Sequence, residues 1–275
     1  MEKKELIVVK IGTNTISLDD KSGLDLSVIS NIGSDIRELN SGQDELRTIL
    51  VSSAAAVAGI EKNQNIENIE DHTSKMQVAA MVGNLSLFAE WRNATGYDIA
   101  LDLPTHNDLT HDESWNNLCK SIAYCLQIGV MPGFNEGDAR SSEELEEVIK
   151  SNGGEFFRFG DNDKLASMLS IKVGAFALGF ANQRTSLAIL TNTNGVLENV
   201  NRPDSVIRNM NLSDVNTILE TGLDDSGSNN GGMTSKLESS RDAILSGVDV
   251  YIGNGRIKNG LLRLLAGEIG TRITR

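Results

Sequence analysis

The chain has 275 residues, with 25 lysines and arginines against 38 aspartates and glutamates, so its formal net charge is −13. This acidic balance argues against a non-specific binder of nucleic acid or of anionic membranes, because their phosphates would be repelled. With 39% hydrophobic residues the chain can bury a sizeable core, which excludes disorder throughout.

Neither the first residues nor any later segment predicts a signal peptide or a membrane span. No stretch approaches the ~20 apolar residues that cross a bilayer. Cys119 and Cys125 are the only cysteines, and their spacing is not the CxxC of a zinc or redox site. We therefore expect a reduced, soluble, cytoplasmic protein that binds neither nucleic acid nor membranes.

Strand-like and helix-like segments alternate in the first half of the chain. Short apolar runs predict strands at residues 6–10, 48–51, 97–103 and 130–134. Apolar residues at three- and four-residue spacing, or long helix-forming stretches, predict helices at residues 26–39, 74–91 and 112–127.

The same alternation continues to the end of the chain. Asp163 begins a helix whose apolar face extends to Phe180, and a strand at residues 187–190 ends in a turn-forming run. Later elements follow as a helix at 234–247, a strand at 248–252 and a helix at 257–266. This order predicts an α/β fold in which helices cover both faces of a mostly parallel sheet, a three-layer α/β/α sandwich. We expect residues 1–275 to form a single domain.

Ligands of such sheets bind at the carboxyl ends of the strands, so the residues that follow each strand are the candidates for a site. Small, amide or charged residues occupy five such places, at residues 10–14, 52–55, 135–138, 159–163 and 230–236. This pattern suits a site for an anion together with a polar small molecule.

Each of these groups also has a simpler interpretation. A Gly-Gly pair before a helix is most often a plain cap, and Lys236 on a helix is typical of a solvated surface lysine. Asp163 could serve only to cap its helix, and Glu136 and Asp138 could be ordinary loop acids. Lys10 differs, because a charge at the end of a buried strand must find a partner or water.

Several familiar motifs are absent from the sequence. The chain contains no Gly-Lys pair, so it has no P-loop, and no GxGxxG follows the first strand. The three histidines show no metal-ligand spacing, and no GxSxG elbow occurs.

Taken together, these segments resemble the amino acid kinase family, and within it the glutamate 5-kinases. The match runs in order through residues 8–13, 51–54, 77–83, 135–138, 159–163, 190–192, 231–236, 247–250 and 270–271. Gly-Asp-Asn-Asp at 160–163 and Gly-Gly-Met-Thr-Ser-Lys at 231–236 are the most specific of these segments. Many members carry a C-terminal PUA domain; because Arg275 directly follows the kinase part, we expect that domain to be missing.

The resemblance implies an activity. It implies that the protein transfers a phosphoryl group from ATP, with Mg²⁺, to the side-chain carboxylate of L-glutamate, giving glutamyl 5-phosphate for proline synthesis. It also implies a homo-oligomer, either a dimer or a tetramer, and inhibition by proline. Two alternatives stay open: an amino acid kinase that acts on another carboxylate or phosphate acceptor, and a nucleotide-binding regulatory protein with little or no catalysis.

The resemblance also implies a role for individual residues. Lys10 and Lys236 approach the γ-phosphoryl group, Asp163 holds both lysines, and Gly12 lets backbone N–H groups come close to the phosphoryl oxygens. The lobe at about 1–160 binds the acceptor through Ser53, Asn135, Asp138 and Asn162. The lobe at about 161–275 binds the nucleotide; the nucleotide-binding residues are Lys10, Thr191, Asn192, Asn230, Gly231, Gly232, Met233, Thr234, Ser235 and Lys236. No residue is assigned as a metal ligand, because Mg²⁺ would be bound mainly through the phosphates.

The sequence departs from the family pattern at a few places. Ala54 stands where the family has glycine, and we expect its methyl group to narrow the acceptor pocket or to restrict the backbone. Gly137 stands where a larger residue is usual, and Asn192 replaces an aspartate near the nucleotide. The segment at 175–190 is longer than the family pattern.

Overall fold

A computed structural model describes residues 5–41, 47–105, 108, 111–137, 162–176, 184–199, 201–221 and 231–275. Strands β1 to β8 are Glu5–Ile11, Thr48–Ser52, Ile99–Asp102, Met131–Phe134, Arg184–Thr191, Asn209–Asn211, Asp249–Asn254 and Thr271–Thr274. Helices α1 to α9 are Thr13–Ile16, Leu26–Asn40, Ala55–Lys62, His72–Thr95, Asp112–Gln127, Asn162–Phe176, Leu212–Thr221, Gly231–Leu245 and Gly260–Leu265.

In the described part of the chain the strands form one sheet in the order β3-β4-β2-β1-β5-β7-β8-β6. All neighbouring pairs are parallel except β7 and β8. The prediction of a mostly parallel sheet is therefore confirmed. The antiparallel step at β8 reverses the last two strands at one edge.

Helices cover the sheet in two packed groups, which confirms the predicted three-layer fold. Helices α2, α3, α4 and α9 pack together in one group, and α5, α6, α7 and α8 pack in the other. Strand β1 lies in the middle of the sheet, and its apolar residues from Leu6 to Ile11 are buried because both faces are covered. No helix among these residues is long and apolar enough to span a membrane.

The predicted elements are found with small shifts at their ends. The helix expected from Asp163 begins at Asn162 and is described as far as Phe176, so Phe180 lies outside the described residues. The sequence patterns predict no element at β6, α7 or β8, and the structure places all three along one side of the sheet.

The strand order explains where a ligand would bind. Strand β1 is flanked by β2, the next strand along the chain, and by β5, which follows much later. The chain therefore switches direction across the sheet at β1, and such a switch point opens a crevice at the carboxyl ends of the strands.

Candidate active site

Four adjacent strands bring the predicted site residues to one edge of the sheet. Lys10 is near the end of β1, Ser53 follows β2, Asn135 follows β4, and Thr191 ends β5. Because these strands are neighbours in the order β4-β2-β1-β5, their carboxyl ends are contiguous.

Two lysines that are distant in the sequence meet on one carboxylate. The Lys10 Nζ lies 2.6 Å from the Asp163 Oδ1, and the Lys236 Nζ lies 3.1 Å from the Asp163 Oδ2. Lys10 and Asp163 are buried, whereas the side chain of Lys236 keeps 13% of its surface exposed. The cluster carries one net positive charge, so it attracts an anion at the mouth of the crevice.

Two helices hold this cluster in place. Asp163 lies in the first turn of α6, and Lys236 lies on α8, where its Nζ also donates to the Gly232 carbonyl at 3.0 Å. The two helices are joined by a hydrogen bond from the Ser167 hydroxyl to the Ser239 carbonyl at 2.7 Å. An ion pair between Lys164 and Asp242 adds a second link.

The charge state of Asp163 is set by two opposed effects. Burial disfavours the carboxylate and by itself would raise the pKa of Asp163. The charges of Lys10 and Lys236, with the hydrogen bonds that both lysines donate, outweigh burial and lower the pKa below its ordinary value. Asp163 is therefore ionised at neutral pH and holds both ammonium groups.

A chain of amides lies next to the lysines. The Asn162 side chain donates to the Ser53 hydroxyl at 3.1 Å and to the Asn135 side-chain oxygen at 2.9 Å, and it accepts from the Glu136 N–H at 3.1 Å. Asn162, Asn135 and Glu136 are buried. The predicted acceptor residues Ser53, Asn135 and Asn162 are thus brought together in one network.

Sequence analysis missed one member of this network. Asn84 on α4 accepts a 2.9 Å hydrogen bond from the Asn135 amide, and it is buried. The signal available was its position directly after Gly83, the last residue of the family-like segment at 77–83. Asn84 fixes which way the Asn135 amide points, so that the Asn135 oxygen faces Asn162.

The turn after β1 shows which amides could take part in the role expected of Gly12. The Gly12 N–H donates to the Leu190 carbonyl at 3.2 Å, so any amide brought close to a phosphoryl group here must belong to the residues after Gly12. A Cβ at this position would lie 3.9 Å from the Lys10 Nζ and no closer than 3.7 Å to any other atom. Gly12 has an ordinary φ of −79°, so its backbone does not require glycine.

Apart from Lys10 on β1, the described residues of the predicted nucleotide site lie at the end of β5 and at the start of α8. Thr191 is buried at the end of β5, and Asn192 after it is exposed, with their side-chain oxygens 3.4 Å apart. Residues 231–236 form the start of α8. Within that stretch Ser235 is buried, Met233 and Thr234 are half-buried, and Gly232 is exposed.

Parts of the expected site lie outside the described residues. These are Asp138, Asn230 and the Phe-Gly-Asp portion at 159–161 of the most specific motif.

Two departures from the family pattern, at Gly137 and Ala54, can be compared with the structure. Packing explains the glycine at 137, whereas the alanine at 54 has a strained backbone. A Cβ at Gly137 would lie 2.8 Å from the Leu103 carbonyl oxygen, so the segment at 103–105 leaves no room for a larger residue. Ala54 has a φ of +84° and a ψ of 13°, a left-handed conformation that residues with a Cβ rarely adopt. It lies buried at the start of α3, directly after Ser53.

Comparison with known proteins points to one family. The model of the amino acid kinase family matches residues 5–254. The chain is similar to the glutamate 5-kinase of Acinetobacter baumannii (strain SDF), with 30% identity over 98% of this chain and 66% of that relative. It is also similar to the glutamate 5-kinase of Clostridium perfringens, with 28% identity over 98% of this chain and 96% of that relative.

A solved structure supports the fold. The carbamate kinase of Giardia lamblia, bound to AMP-PNP, aligns with a TM-score of 0.65 and 14% identity, covering 100% of this chain and 99% of that one.

Proposed function

Because the chain belongs to the amino acid kinase family, we propose that it transfers the γ-phosphoryl group of ATP to the side-chain carboxylate of L-glutamate. The product would be glutamyl 5-phosphate, the first intermediate of proline synthesis. The similarity to glutamate 5-kinases, which extends over nearly the whole of this chain, supports this proposal. This chain spans 66% of the length of the Acinetobacter relative, so the proposal also rests on the residues of this chain itself.

One observation carries the proposal: Lys10 and Lys236 converge on the two oxygens of Asp163. Phosphoryl transfer demands that the donor and acceptor be aligned and that negative charge on the migrating group be neutralised. Lysine suits this task because it is a compact charge with three N–H donors. A protein that only bound a nucleotide would have little use for both lysines at one point.

The transfer itself needs no proton acceptor. An oxygen of the glutamate carboxylate forms a bond to the γ-phosphorus while the bond from that phosphorus to the β–γ bridging oxygen breaks. The electron pair leaves on ADP, and the acceptor is already an anion, so no proton has to be removed from it. Lys10 and Lys236 stabilise the equatorial oxygens, while Asp163 holds both ammonium groups in position.

The network around Asn162 suits an amino acid better than a phosphate ester as the acceptor. Ser53, Asn135 and Asn162 offer neutral amide and hydroxyl groups, which suit a polar zwitterion. An acidic side chain is the expected partner of an α-ammonium group and would repel a phosphate. We assign this role to Asp138, as the resemblance implies.

The nucleotide would be held by the C-terminal part of the chain, from Thr191 and Asn192 to the start of α8. Both oxygens of Asp163 face ammonium groups, so this carboxylate is poorly placed to bind a metal. Mg²⁺ usually binds through phosphates and retains several waters, and we propose that it enters with ATP and neutralises its phosphate charge.

The proposal is tested by coupled ADP release with purified protein, ATP and Mg²⁺, using L-glutamate, carbamate and a phosphate monoester as separate acceptors. Glutamate-dependent turnover, with glutamyl 5-phosphate trapped by hydroxylamine, is the expected result. Turnover only with another acceptor would refute the glutamate assignment and agree with the strained Ala54 beside Ser53. Calorimetric binding of ATP without turnover on any acceptor would refute the kinase. Adding proline to the same assay tests the expected inhibition.

A further inference from the structure

Arg256, in the turn after β7, joins two parts of the chain that are far apart in the sequence. Its guanidinium group reaches the segment that follows β1 and donates to oxygen atoms there. One terminal nitrogen donates to the Asn14 carbonyl at 3.4 Å and to the Asp19 Oδ1 at 3.2 Å. The other donates to the Ser17 carbonyl at 3.3 Å and to the Asp25 Oδ2 at 3.1 Å. A planar guanidinium with donors in a fixed fork can hold all of these acceptors, whereas the single ammonium group of a lysine cannot.

The contacts of Arg256 hold a very short helix beside the catalytic cluster. Helix α1 has only 4 residues and begins directly after Gly12. A single helical turn is not stable alone, so its place must be fixed by contacts with the rest of the protein. One such contact runs from the buried Thr15 hydroxyl to the Leu190 carbonyl at 3.1 Å. Arg256 supplies the other at the end of α1, where basic side chains commonly bind the last carbonyl groups of a helix.

The turn that carries Arg256 is itself fixed on the nucleotide side of the sheet. The Arg256 N–H donates to the Asn254 side-chain oxygen at 2.9 Å, and the Gly255 N–H donates to the Thr191 carbonyl at 2.9 Å. A Cβ at Gly255 would lie 2.8 Å from the Thr15 Cγ2, so this turn packs directly against α1. Arg256 therefore connects the ends of β5 and β7 to the turn beside Lys10.

We propose that Arg256 is a positioning residue for phosphoryl transfer. It fixes α1 and thereby sets where the backbone N–H groups that follow Gly12 meet the transferred phosphoryl group. The inference rests on the proposed function and adds to it a residue that acts through the backbone. Hydrogen-bond donors stabilise a transition state best when they are already in place, and a misplacement of about 1 Å can lower the rate ~10²-fold.

The surroundings of Arg256 favour a role in positioning over a role in stability. The side chains of Arg256 and Asp19 are 27% and 96% exposed, and an ion pair so open to solvent adds little to the free energy of unfolding. Asp25 caps α2 through the N–H groups of Ser27 and Val28, so α2 keeps its start without Arg256. We therefore expect the loss of Arg256 to affect the rate more than the melting temperature.

Steady-state kinetics of the full chain test the proposal. Arg256→Met is expected to lower kcat at least ~10-fold, because α1 is no longer held in place. The KM for glutamate should stay as in wild type, since the acceptor network is built from residues that follow β2 and β4 and from α6. Arg263→Met is the matched control, because Arg263 lies on α9 and pairs with Glu268 at 3.2 Å, and its kcat should equal that of wild type. Equal kcat values for the two variants, or a change confined to KM, would overturn the proposal.

Two further variants separate positioning from a general defect. Arg256→Lys keeps the charge and the aliphatic stem, and it replaces Arg256→Met if circular dichroism shows that the latter is unfolded. Its single ammonium group cannot hold all the acceptors, so its kcat should also fall. In the double variant with Gly12→Ala, both substitutions disturb the same turn, so the combined loss in kcat should be smaller than the product of the single losses. Losses that multiply in full would overturn the proposal.

Hydrogen exchange tests the role of Arg256 without any acceptor. ATP with Mg²⁺ is expected to slow amide exchange at residues 13–16 in wild type and to slow it less in Arg256→Met, because α1 no longer holds its amides against the phosphates. If this difference is found but glutamate is not phosphorylated, the proposed function fails and the role of Arg256 stands. Equal protection of residues 13–16 by ATP in the two proteins would overturn the role of Arg256.

Discussion

The two lysines on Asp163 have different surroundings, and their removal is expected to have different consequences. Lys10→Met removes the closer partner, at 2.6 Å, in a place where both side chains are almost wholly buried, with 5% and 2% of their surfaces exposed. Breaking a buried ion pair from one side costs about 3–5 kcal/mol in the free energy of unfolding. At about 2–4 °C per kcal/mol for a chain of this size class, the melting temperature should fall by roughly 10 °C.

Lys236→Met is the matched comparison. The Lys236 ammonium group is more exposed than that of Lys10 and lies 3.1 Å from the Asp163 carboxylate. In this variant Asp163 keeps its shorter contact, to Lys10. We expect a loss of about 1 kcal/mol in the free energy of unfolding, in the range of a single hydrogen bond. Both variants should lose ~10²-fold or more in kcat, the scale of losing one electrostatic donor.

The pH dependence of stability separates this explanation from a simple packing defect. In wild type the lowered pKa of Asp163 stabilises the fold above the ordinary carboxyl range, and this contribution is lost as pH falls through the folded-state pKa. In Lys10→Met, burial, which raises the pKa of Asp163, is opposed by Lys236 alone, so protonation begins at higher pH than in wild type. The difference in unfolding free energy between variant and wild type should therefore shrink from pH 7.5 to pH 5.

Urea unfolding of the three proteins at both pH values, with ADP release at pH 7.5, measures these quantities. The reasoning would be refuted by equal urea midpoints for Lys10→Met and Lys236→Met. It would equally be refuted by a stability difference that does not change with pH.

Three further predictions use the geometry around the cluster. Gly12→Ala should keep the wild-type melting temperature, because the φ of −79° at this position suits alanine and the new Cβ would meet no atom within 3.7 Å. The kcat should nevertheless fall ~10²-fold, because the methyl group would displace the phosphoryl group beside Lys10. Asn84→Ala should raise the KM for glutamate about 10-fold with less effect on kcat, because the Asn135 amide loses its partner; steady-state kinetics would count against this role if only kcat changed. Ala54→Gly should change the unfolding free energy by less than ~1 kcal/mol. Glycine relieves ~1–2 kcal/mol of left-handed strain, but the greater entropy of the unfolded chain and the loss of a buried methyl group offset this gain. The same substitution should lower the KM for glutamate. An unchanged KM would show that the Ala54 methyl group does not restrict the pocket.

The sequence predicts the middle of this fold well because its strands are buried on both faces. Residues 49–51 and 187–190 are continuous apolar runs, which is what a covered parallel strand requires. Strands β6 and β8 escape prediction because they are short; β6 lies at the edge of the sheet and β8 beside it, and Met210 and Ile273 are their buried apolar side chains. Periodicity carries no signal in so few residues.

The candidate site was predictable in part for a different reason. The rule that ligands bind at the ends of parallel strands points to Lys10, Ser53 and Asn135 without any resemblance. The convergence of Lys236 on the same carboxylate could not be derived this way, because no local pattern places a residue of α8 against β1. Asn84 is harder still, since a polar residue in an apolar helix reveals its partner only when β4 is packed beside it.

The two departures beside the acceptor network differ in physical kind, and this bears on which acceptor the site takes. Gly137 is required by the close approach of the Leu103 carbonyl oxygen, so its small size reflects packing with a neighbouring segment and not a wider pocket. Ala54 instead retains a strained backbone conformation that glycine would adopt freely, directly after a residue of the network. Strain of this kind persists only where the surrounding structure holds it in place. Ala54 is therefore the position at which a change of acceptor should first be sought.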